Sequence, residues 1–291
     1  MEKLTLSPVQ MEDKEEVLAL CRDIWGGRDY IPYVFDEWVK EGGFYCGRMG
    51  GRIVALDKYT WQDNGILWLE GFRVHPDLQG KGIGSLMSRE FEKILRGLDC
   101  RVMRSMSAEI NEKSRHLAGK KGFYILAEYD NYGLWDEELK AVAESITPSG
   151  PGRKESDSEE AADFALSSPD FELYKGLYIA NWVAYDITPE LLKKEVDAGN
   201  CFSVRKNGAI EGLIFLYPYM PYGTLSVAFL SGTDEAVEEL LAFAVKKAAE
   251  EGKTGIGLKT ANGRHGELAE KVGIKRSEIG KAFVFERKCK P

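Results

Sequence analysis

The chain has 291 residues, of which 44% are hydrophobic and 30% are charged, and its formal net charge is −8. This composition is typical of a soluble globular protein with about two domains. Asp and Glu outnumber Lys and Arg by 47 to 39, which argues against nucleic acid as a partner because phosphate binding requires the opposite balance. No segment approaches the ~18 apolar residues of a membrane span, and the N-terminus has no signal-peptide pattern, so no membrane association is expected.

The cysteines and histidines indicate the compartment and argue against a metal. The cysteines are odd in number, widely spaced and without a C-x-x-C pair: Cys21, Cys46, Cys100, Cys201 and Cys289. Free thiols in a reducing cytoplasm are the economical interpretation, so we expect a cytoplasmic protein. The three histidines have no metal-ligand spacing, and no metal is expected.

The first half of the chain predicts one continuous series of short elements. A strand is followed by two helices, three strands, a helix, a strand, a helix and a strand. The predicted strands are 3–7, 44–47, 52–60, 66–74, 101–108 and 124–135. The predicted helices are 13–24, a short one after an aromatic-rich loop at 26–38, one from the glycine-rich turn to about 98, and one within 111–123.

The glycine-rich turn, Gln-Gly-Lys-Gly-Ile-Gly-Ser at 79–85, lies between a strand and a helix. Alternating glycines let several backbone N–H groups point into one concavity, and the positive end of the helix dipole adds to them, which suits a pyrophosphate. A dinucleotide fingerprint is excluded because the sixth position counted from Gly80 is Ser85, and the P-loop pattern is absent. The alternative is a turn that binds nothing, which leaves three helix-weakening glycines without a role.

Gln79-x-x-Gly82-x-Gly84, placed after Val-His-Pro, resembles the acetyl-CoA signature of the GNAT superfamily of N-acetyltransferases. The predicted order of elements over roughly 1–135 is also that of a GNAT domain. The resemblance implies an α/β (α+β) fold, the GNAT acyltransferase fold with a mixed central sheet, and acetyl-CoA as co-substrate. It further implies acetyl-CoA contacts at these residues: Val74, His75, Gln79, Gly80, Lys81, Gly82, Ile83, Gly84, Ser85 and Asn111.

The C-terminal part repeats the N-terminal part in the same order. The hairpin turn at 51–53 matches 208–210, the strand 68–74 matches 225–231, and Asn111 matches Asn262. We therefore expect a catalytic GNAT domain at 1–139, a linker rich in Pro, Gly, Ser and charge at 140–170, and a degenerate, truncated GNAT-like unit at 171–291. The alternative is a chance alignment of two common α/β arrangements.

The second unit has Asp-Glu-Ala-Val-Glu-Glu at 234–239, where the first unit has its glycine-rich turn. Carboxylates there would repel a pyrophosphate, so this unit is expected not to bind CoA. It is expected to form a wall of the acceptor site, since sites often lie between domains. The alternative is that it mediates homodimerisation.

Acetyl transfer to a protonated amine needs a general base. Glu70, on the strand before the turn and beside apolar residues, is the first candidate, and Glu109 is the second; the alternative for Glu70 is an ion pair with Arg73 or Arg104. The resemblance implies that the Val74 N–H faces the thioester carbonyl. The family's usual tyrosine acid is replaced here by Ala118, so either another group such as Tyr124 or Tyr132 protonates the thiolate, or the thiolate leaves unaided.

The acceptor site is expected in the aromatic-rich segment, with Tyr30, Tyr33 and Trp38 as substrate-binding residues. Asp-Tyr-Ile-Pro at 29–32 and Glu-Gly-Phe-Arg-Val at 70–74 are similar to the histidine N-acetyltransferase-like subfamily of vertebrates. The sequence therefore predicts an N-acetyltransferase that moves an acetyl group from acetyl-CoA to the primary amine of a small molecule or amino acid by direct attack. The alternatives are a basic peptide or protein amine as acceptor, and a non-catalytic CoA-binding sensor.

Overall fold

A computed structural model of the chain describes residues 3–146 and 152–289. The chain forms two compact units, Met1–Ser105 with Glu286–Pro291 (unit 1) and Met106–Phe285 (unit 2). The first eight helices and strands are β1 Thr5–Pro8, α1 Lys14–Cys21, α2 Ile31–Glu41, β2 Phe44–Met49, β3 Arg52–Gln62, β4 Ile66–Val74, α3 Ile83–Leu95 and β5 Val102–Ala108.

The remaining elements continue through unit 2. They are α4 Glu112–Lys120, β6 Tyr124–Trp135, α5 Asp136–Ser145, β7 Arg153–Lys154, α6 Ser158–Ser167, α7 Pro169–Leu173, β8 Leu177–Ala180, β9 Val183–Asp186, α8 Pro189–Asp197, β10 Cys201–Lys206, β11 Ala209–Tyr219, β12 Thr224–Gly232, α9 Asp234–Glu250, β13 Gly255–Thr260, α10 Gly263–Val272, β14 Lys275–Arg276 and β15 Ala282–Lys288.

The sheet of unit 1 has the strand order β1-β2-β3-β4-β5, antiparallel except for the parallel pair β4–β5. Alternating side chains of β2 and β3 supply two apolar faces. Phe44 and Cys46 pack with α1 and α2, whereas Tyr45 and Val54 pack with α3. The mixed central sheet with helices on both faces confirms the predicted fold class.

Strand β4 is paired differently along its two edges. Its ladder with β5 covers Ile66–Trp68 against Val102–Arg104, whereas its ladder with β3 continues to Val74. Between Arg73 and Glu70 the register with β3 shifts, so β4 carries a bulge there. In the described part of the chain, the second half of β4 therefore has no ladder on the β5 side.

Unit 2 contains the second copy of the arrangement. A hairpin β10–β11 is followed by β12, α9, the strand β13 parallel to β12, α10 and a final strand, which is the order found from β2 to β6. The final strand of each copy pairs beyond its own copy. In unit 2, β6 pairs with β13, and the end of β15 lies beside β5 in unit 1.

The two compact units have other bounds than the predicted domains, and the division at 139 and 171 stays a prediction. The 140–170 segment, predicted as a linker, contains the end of α5, β7, α6 and the start of α7; its residues 147–151 lie outside the described residues. Helix α6 buries Ala161, Ala162 and Ala165. Small apolar side chains pack a short helix without the large residues that the prediction required.

The C-terminal strand is held in unit 1 by charge and by a covalent bond. Arg104 donates its Nε–H to Glu286 at 2.7 Å in a pair that is almost fully buried. Cys100 and Cys289 form a disulfide, so the expectation of five free thiols is wrong for these two cysteines. The two cysteines are 189 positions apart, and no feature of the sequence indicates that they lie close together.

We expect three thiols, not five, to titrate when the protein is denatured without reductant. The three are the buried Cys21, Cys46 and Cys201, and five should titrate after reduction. Because the bond closes a long loop of the unfolded chain, reduction should lower the free energy of unfolding by about 2–5 kcal/mol. Thiol quantification with and without reductant measures the first effect and a denaturant titration the second. Five thiols in the unreduced protein would contradict the bond.

Candidate functional site

The turn between β4 and α3 is open toward solvent and rich in free backbone donors. Gly80 and Gly82 have positive φ angles of +75° and +80°, and a Cβ atom at either would meet nothing within 4 Å. Helix α3 begins after Gly82, which is its N-cap residue. The first helical hydrogen bond runs from the Leu86 N–H to the Gly82 carbonyl. The N–H groups of residues 83–85 therefore remain available at the positive end of the helix. This geometry fits a pyrophosphate group.

The predicted cofactor-binding residues differ in what they can offer. Gln79, Lys81 and Ser85 are exposed, whereas the Ile83 side chain is buried in the core and leaves only its N–H. His75 is half-buried, and its Nδ1 accepts the Asp77 N–H at 3.3 Å. The imidazole therefore caps the short turn at Pro76–Leu78, and a contact with the cofactor stays a prediction.

The backbone direction at Val74 follows from the ladder with β3. The His75 N–H donates to the Val54 carbonyl at 2.9 Å. Bonded and non-bonded pairs alternate in an antiparallel ladder, so the adjacent pair Ala55–Val74 is non-bonded. The Val74 N–H consequently points away from β3, toward the side on which β5 has diverged.

The bulge in β4 brings Trp38 and Tyr30 of the α2 region against the strand. Gly71 has a φ angle of +68°, and a Cβ atom there would lie 2.7 Å from Cζ3 of Trp38. Tyr30 contacts Trp38 edge-on with ring centroids 5.7 Å apart. Burial raises the pKa of Tyr30, whereas the nearby Arg73 guanidinium lowers it.

Glu70 is half-buried on β4 and is hydrogen-bonded to a neighbour on β3. Its Oε1 accepts the Thr60 hydroxyl at 2.7 Å. Burial raises the pKa of the Glu70 carboxyl, and the bond from Thr60 and the charge of Lys58 partly offset that rise. A carboxyl with a raised pKa on a strand next to an open sheet edge is suited to general base catalysis.

The arginines considered as partners of Glu70 bind other carboxylates. Arg73 donates to Asp29 from Nε at 2.7 Å and from Nη2 at 3.1 Å, and its guanidinium lies 5.3 Å from the Tyr30 ring. Arg104 binds Glu286, as described above. The interactions that did form around Glu70, with Thr60 and Lys58 of β3, were not part of the sequence prediction.

The predicted acceptor residues do not lie on one loop. Helix α2 begins at Ile31, with Pro32 in its first turn, so most of the segment expected as a loop is helical. Trp38 is buried, Tyr30 is half-buried, and the Tyr33 side chain is 68% exposed. Pro in the first turn starts a helix without losing a hydrogen bond, which the sequence interpretation did not use.

Asn111 and Tyr124 belong to unit 2. The Asn111 side chain caps α4 by accepting the Ser114 N–H at 3.2 Å, which is the structural role that the residue type favours at this position. Tyr124 is the first residue of β6 and is 47% exposed. Ala118, at the family's tyrosine position, lies on α4.

The second copy has no equivalent of the glycine-rich turn. Only Thr233 separates β12 from α9, and its hydroxyl accepts the Ala236 N–H to cap the helix. In the first copy, residues 75–82 lie between the strand and the helix. One backbone donor at this helix N-terminus, the Ala236 N–H, is thus bound by a side chain of the protein in unit 2.

The described residues contain neither a candidate metal site nor a helix that could span a membrane. No group of three or more His, Cys, Asp or Glu residues in 3–146 and 152–289 is placed to hold a metal ion. None of the helices in that part of the chain is long and apolar enough to cross a membrane.

Residues 13–123 match the Acetyltransferase (GNAT) family. A histidine N-acetyltransferase of Scomber australasicus is 36% identical over 81 residues, which are 27% of this chain and 24% of that protein. A histidine N-acetyltransferase of Oreochromis niloticus is 24% identical over 216 residues, which are 67% of this chain and 64% of that protein. The matched parts thus span less than two thirds of either relative.

The structure is similar to that of a tandem GNAT protein from the clavulanic acid biosynthesis pathway. The TM-score is 0.62 at 14% identity, and the match covers 99% of both chains. At this identity the similarity concerns the fold alone. It confirms the predicted GNAT fold and supports the arrangement in two units.

Replacing Gly71 by Ala should destabilise the protein more than the same change at Gly51. Both positions have positive φ, but a Cβ atom at Gly71 collides with Trp38, whereas one at Gly51 meets nothing within 4 Å. We expect about 1 kcal/mol for Gly51→Ala and about 2–4 kcal/mol for Gly71→Ala. Denaturant titration of the two variants measures the difference; equal losses would mean that Trp38 does not depend on the bulge.

Proposed function

Because residues 13–123 belong to the GNAT acetyltransferase family, we propose that the chain transfers an acetyl group from acetyl-CoA to the primary amine of a small molecule or amino acid. The observation that carries this proposal is the arrangement of β4. One strand presents a carboxyl of raised pKa at Glu70, a backbone donor at Val74 on its open side, and then a helix N-terminus with free N–H groups.

Acetyl-CoA would be held by the turn that follows β4. Residues 79–85 would surround the pyrophosphate, with the N–H groups of residues 83–85 as its donors, because the Gln79 and Lys81 N–H groups already donate to the Pro76 and Leu78 carbonyls. Lys81 would add positive charge at an exposed position. Bound in this way, acetyl-CoA supplies the reactive thioester. The Val74 N–H would donate to the thioester oxygen as charge develops on it, a contribution of ~3 kcal/mol for one such donor.

Glu70 would act as the general base. The acceptor reaches the enzyme as an ammonium ion and becomes a nucleophile only after it loses a proton. Oε1 of Glu70 is engaged by Thr60, so Oε2 is the atom proposed to take this proton. The neutral amine then attacks the carbonyl carbon directly, the C–N bond forms, and the C–S bond to CoA breaks. The nitrogen loses its second proton in this step, and the departing thiolate takes up one proton, so the amide and CoA thiol both form neutral.

The acid for the leaving thiolate is proposed to be Tyr124, since Ala118 replaces the family's tyrosine. Asn111 is retained as a proposed contact of the pantetheine arm alongside its capping role. The thiolate of a typical thiol, with a pKa of about 8.5, can also leave without an acid.

The acceptor is proposed to lie along the first turns of α2, with Tyr30, Tyr33 and Trp38 as contacts. The two curated relatives are histidine N-acetyltransferases, which makes an amino acid the first acceptor to test. Aromatic side chains can pack against the apolar part of a small amine. A basic peptide would instead require an acidic groove to bind its positive charges.

The decisive experiment is thiol release from acetyl-CoA by the purified chain with a panel of acceptors. The panel contains histidine, other amino acids, polyamines and basic peptides. We expect turnover with one class of small amine. Turnover with peptides alone would overturn the proposed acceptor, and acetyl-CoA binding without turnover would indicate a CoA-binding sensor.

The Glu70→Gln variant tests the base within the same assay. It should lose at least about 100-fold in kcat/KM, because a positioned base contributes ~10²–10⁴-fold, while its affinity for acetyl-CoA stays unchanged. Glu250→Gln is the matched control, since Glu250 is an exposed carboxylate on α9, outside the proposed site. Full activity of Glu70→Gln would remove Glu70 from the mechanism.

Gly82→Ala should weaken acetyl-CoA binding by about tenfold or more. The added Cβ would project into the space proposed for the pyrophosphate and would strain a residue with positive φ. Gly208→Ala is the control, because Gly208 also has positive φ and open space around it but lies in the β10–β11 turn. Isothermal titration with acetyl-CoA compares the two variants; equal affinities would place the pyrophosphate elsewhere.

A further inference from the structure

A buried lysine lies directly opposite the proposed base. Lys58 and Glu70 are cross-strand partners in the β3–β4 ladder. The Lys58 side chain is only 1% exposed. A buried ammonium needs compensating partners, since burial without them costs several kcal/mol. Lys58 must therefore be held by acceptors close to Glu70.

The ammonium group has three acceptors and one aromatic ring. Nζ donates to the Thr60 hydroxyl at 2.7 Å, to the Tyr59 carbonyl at 2.8 Å and to Oε2 of Glu41 at 3.2 Å. It also lies 5.7 Å from the centroid of the Trp38 ring. Lys58 is thus satisfied, and its contact with Glu70 passes through Thr60.

The Thr60 hydroxyl fixes the direction of this contact. An ammonium group can only donate, so the Thr60 oxygen accepts from Lys58 and its single proton is directed to Oε1 of Glu70. Such a chain is polarised toward the ionised carboxylate, because each bond strengthens the next. The arrangement favours the charged form of Glu70 and occupies one of its two oxygens.

Other charged groups face Glu70 from three elements. Lys58 of β3 and Arg73 of β4 favour its ionised form, whereas Glu41 of α2 disfavours it. Arg73 is already bound to Asp29, and the Tyr30 hydroxyl lies in the same cluster. Lys58 is the cation connected to the carboxylate by a hydrogen-bonded chain.

We infer that Lys58 and Thr60 are positioning residues for Glu70: together they hold Oε1, favour the ionised form of the carboxylate, and leave Oε2 to take the proton of the amine. The inference rests on the proposed function, in which Glu70 is the base. It adds two residues that touch neither acetyl-CoA nor the acceptor.

The inference predicts shifts of opposite sign in the pH profile. The base works only when ionised, so the acid limb of kcat/KM follows the pKa of Glu70. Thr60→Val removes a bond that lowers this pKa and Lys58→Met removes a charge that lowers it, so both should move the limb upward, by about one pH unit. Glu41→Gln removes a charge that raises the pKa and should move the limb downward by a few tenths, since Glu41 is 42% exposed.

The experiment records kcat/KM between pH 5 and pH 9 with acetyl-CoA and the best acceptor of the panel. Thr60→Ser keeps the hydroxyl and should restore the wild-type profile, and Glu250→Gln, at an exposed carboxylate on α9, should leave it unchanged. Lys58→Met risks misfolding because it removes a buried charge, so the Val and Ser variants of Thr60 carry the test. If Thr60 and Lys58 had a purely structural role, their variants would lower kcat/KM, but the acid limb of the pH profile would not shift upward in Thr60→Val and downward in Glu41→Gln.

A second measurement does not depend on turnover. The carboxyl carbon of Glu70 can be followed by ¹³C NMR in protein labelled at Glu, with the signal assigned by its absence in Glu70→Gln. Its titration should move to higher pH in Thr60→Val and to lower pH in Glu41→Gln. Unchanged titrations would overturn the inference and leave Glu70 as the proposed base. Full activity of Glu70→Gln would overturn the proposed base, and with it the catalytic purpose of the positioning.

Discussion

Strand β4 keeps its ladder with β3 to the end but leaves β5 after Trp68, and the candidate site depends on this asymmetry. A backbone with both edges paired offers no donor to a ligand. Because only one edge is released, the strand stays fixed in position while its other N–H groups are free. The bulge at Gly71 adjusts the register just where the paired and released stretches meet, and it aims Glu70 and Val74 from one rigid element.

In the second copy the parallel ladder also ends early, but a side chain of the protein occupies the region beyond it. The ladder between β12 and β13 ends at Val227 against Leu258. Beyond it, Ser231 donates its hydroxyl to Asp170 at 2.6 Å, and Asn262 donates to the other oxygen of that carboxylate at 2.8 Å. In the repeat, Ser231 and Asn262 match Val74 and Asn111. In unit 2 the Ser231 and Asn262 side chains are therefore bound by the Asp170 carboxylate. This agrees with the absence of a glycine-rich turn from the second copy, since both features indicate that it does not bind CoA.

The sequence predicted best what is local. The bounds of β4 and β6 and the glycine-rich turn follow from periodicity and from glycine spacing, and the structure has them as predicted. The start of α2 was missed because Pro32 was not used as a sign of a helix start, and the helices of 140–170 were missed because the segment lacks large apolar residues. Contacts that depend on register or on distant chain segments could not be found. The partner of Cys100 is 189 residues away.

The environment of Glu70 illustrates the same limit. Lys58 follows Asp57 directly after the apolar residues 53–56 of β3, and charged residues within a strand are a signal that the sequence does contain. Its meaning requires the register, since only the ladder places Lys58 opposite Glu70. A one-residue slip would turn its side chain to the other face and separate the two. The candidate base could thus be chosen from the strand pattern, but not the residues that control it.

The hydroxyl between Lys58 and Glu70 has a chemical consequence that a direct ion pair would not have. A buried lysine in contact with a carboxylate lowers its pKa strongly, and a base with a low pKa accepts a proton poorly. Burial alone raises the pKa until the carboxyl is neutral and cannot accept a proton at all. Thr60 places the positive charge one hydrogen bond away, so burial, which raises the pKa of Glu70, and the charge of Lys58, which lowers it, oppose each other, and the pKa stays raised. A carboxylate held in this balance is a stronger base than one paired directly with lysine, and it ionises more easily than one that is buried alone.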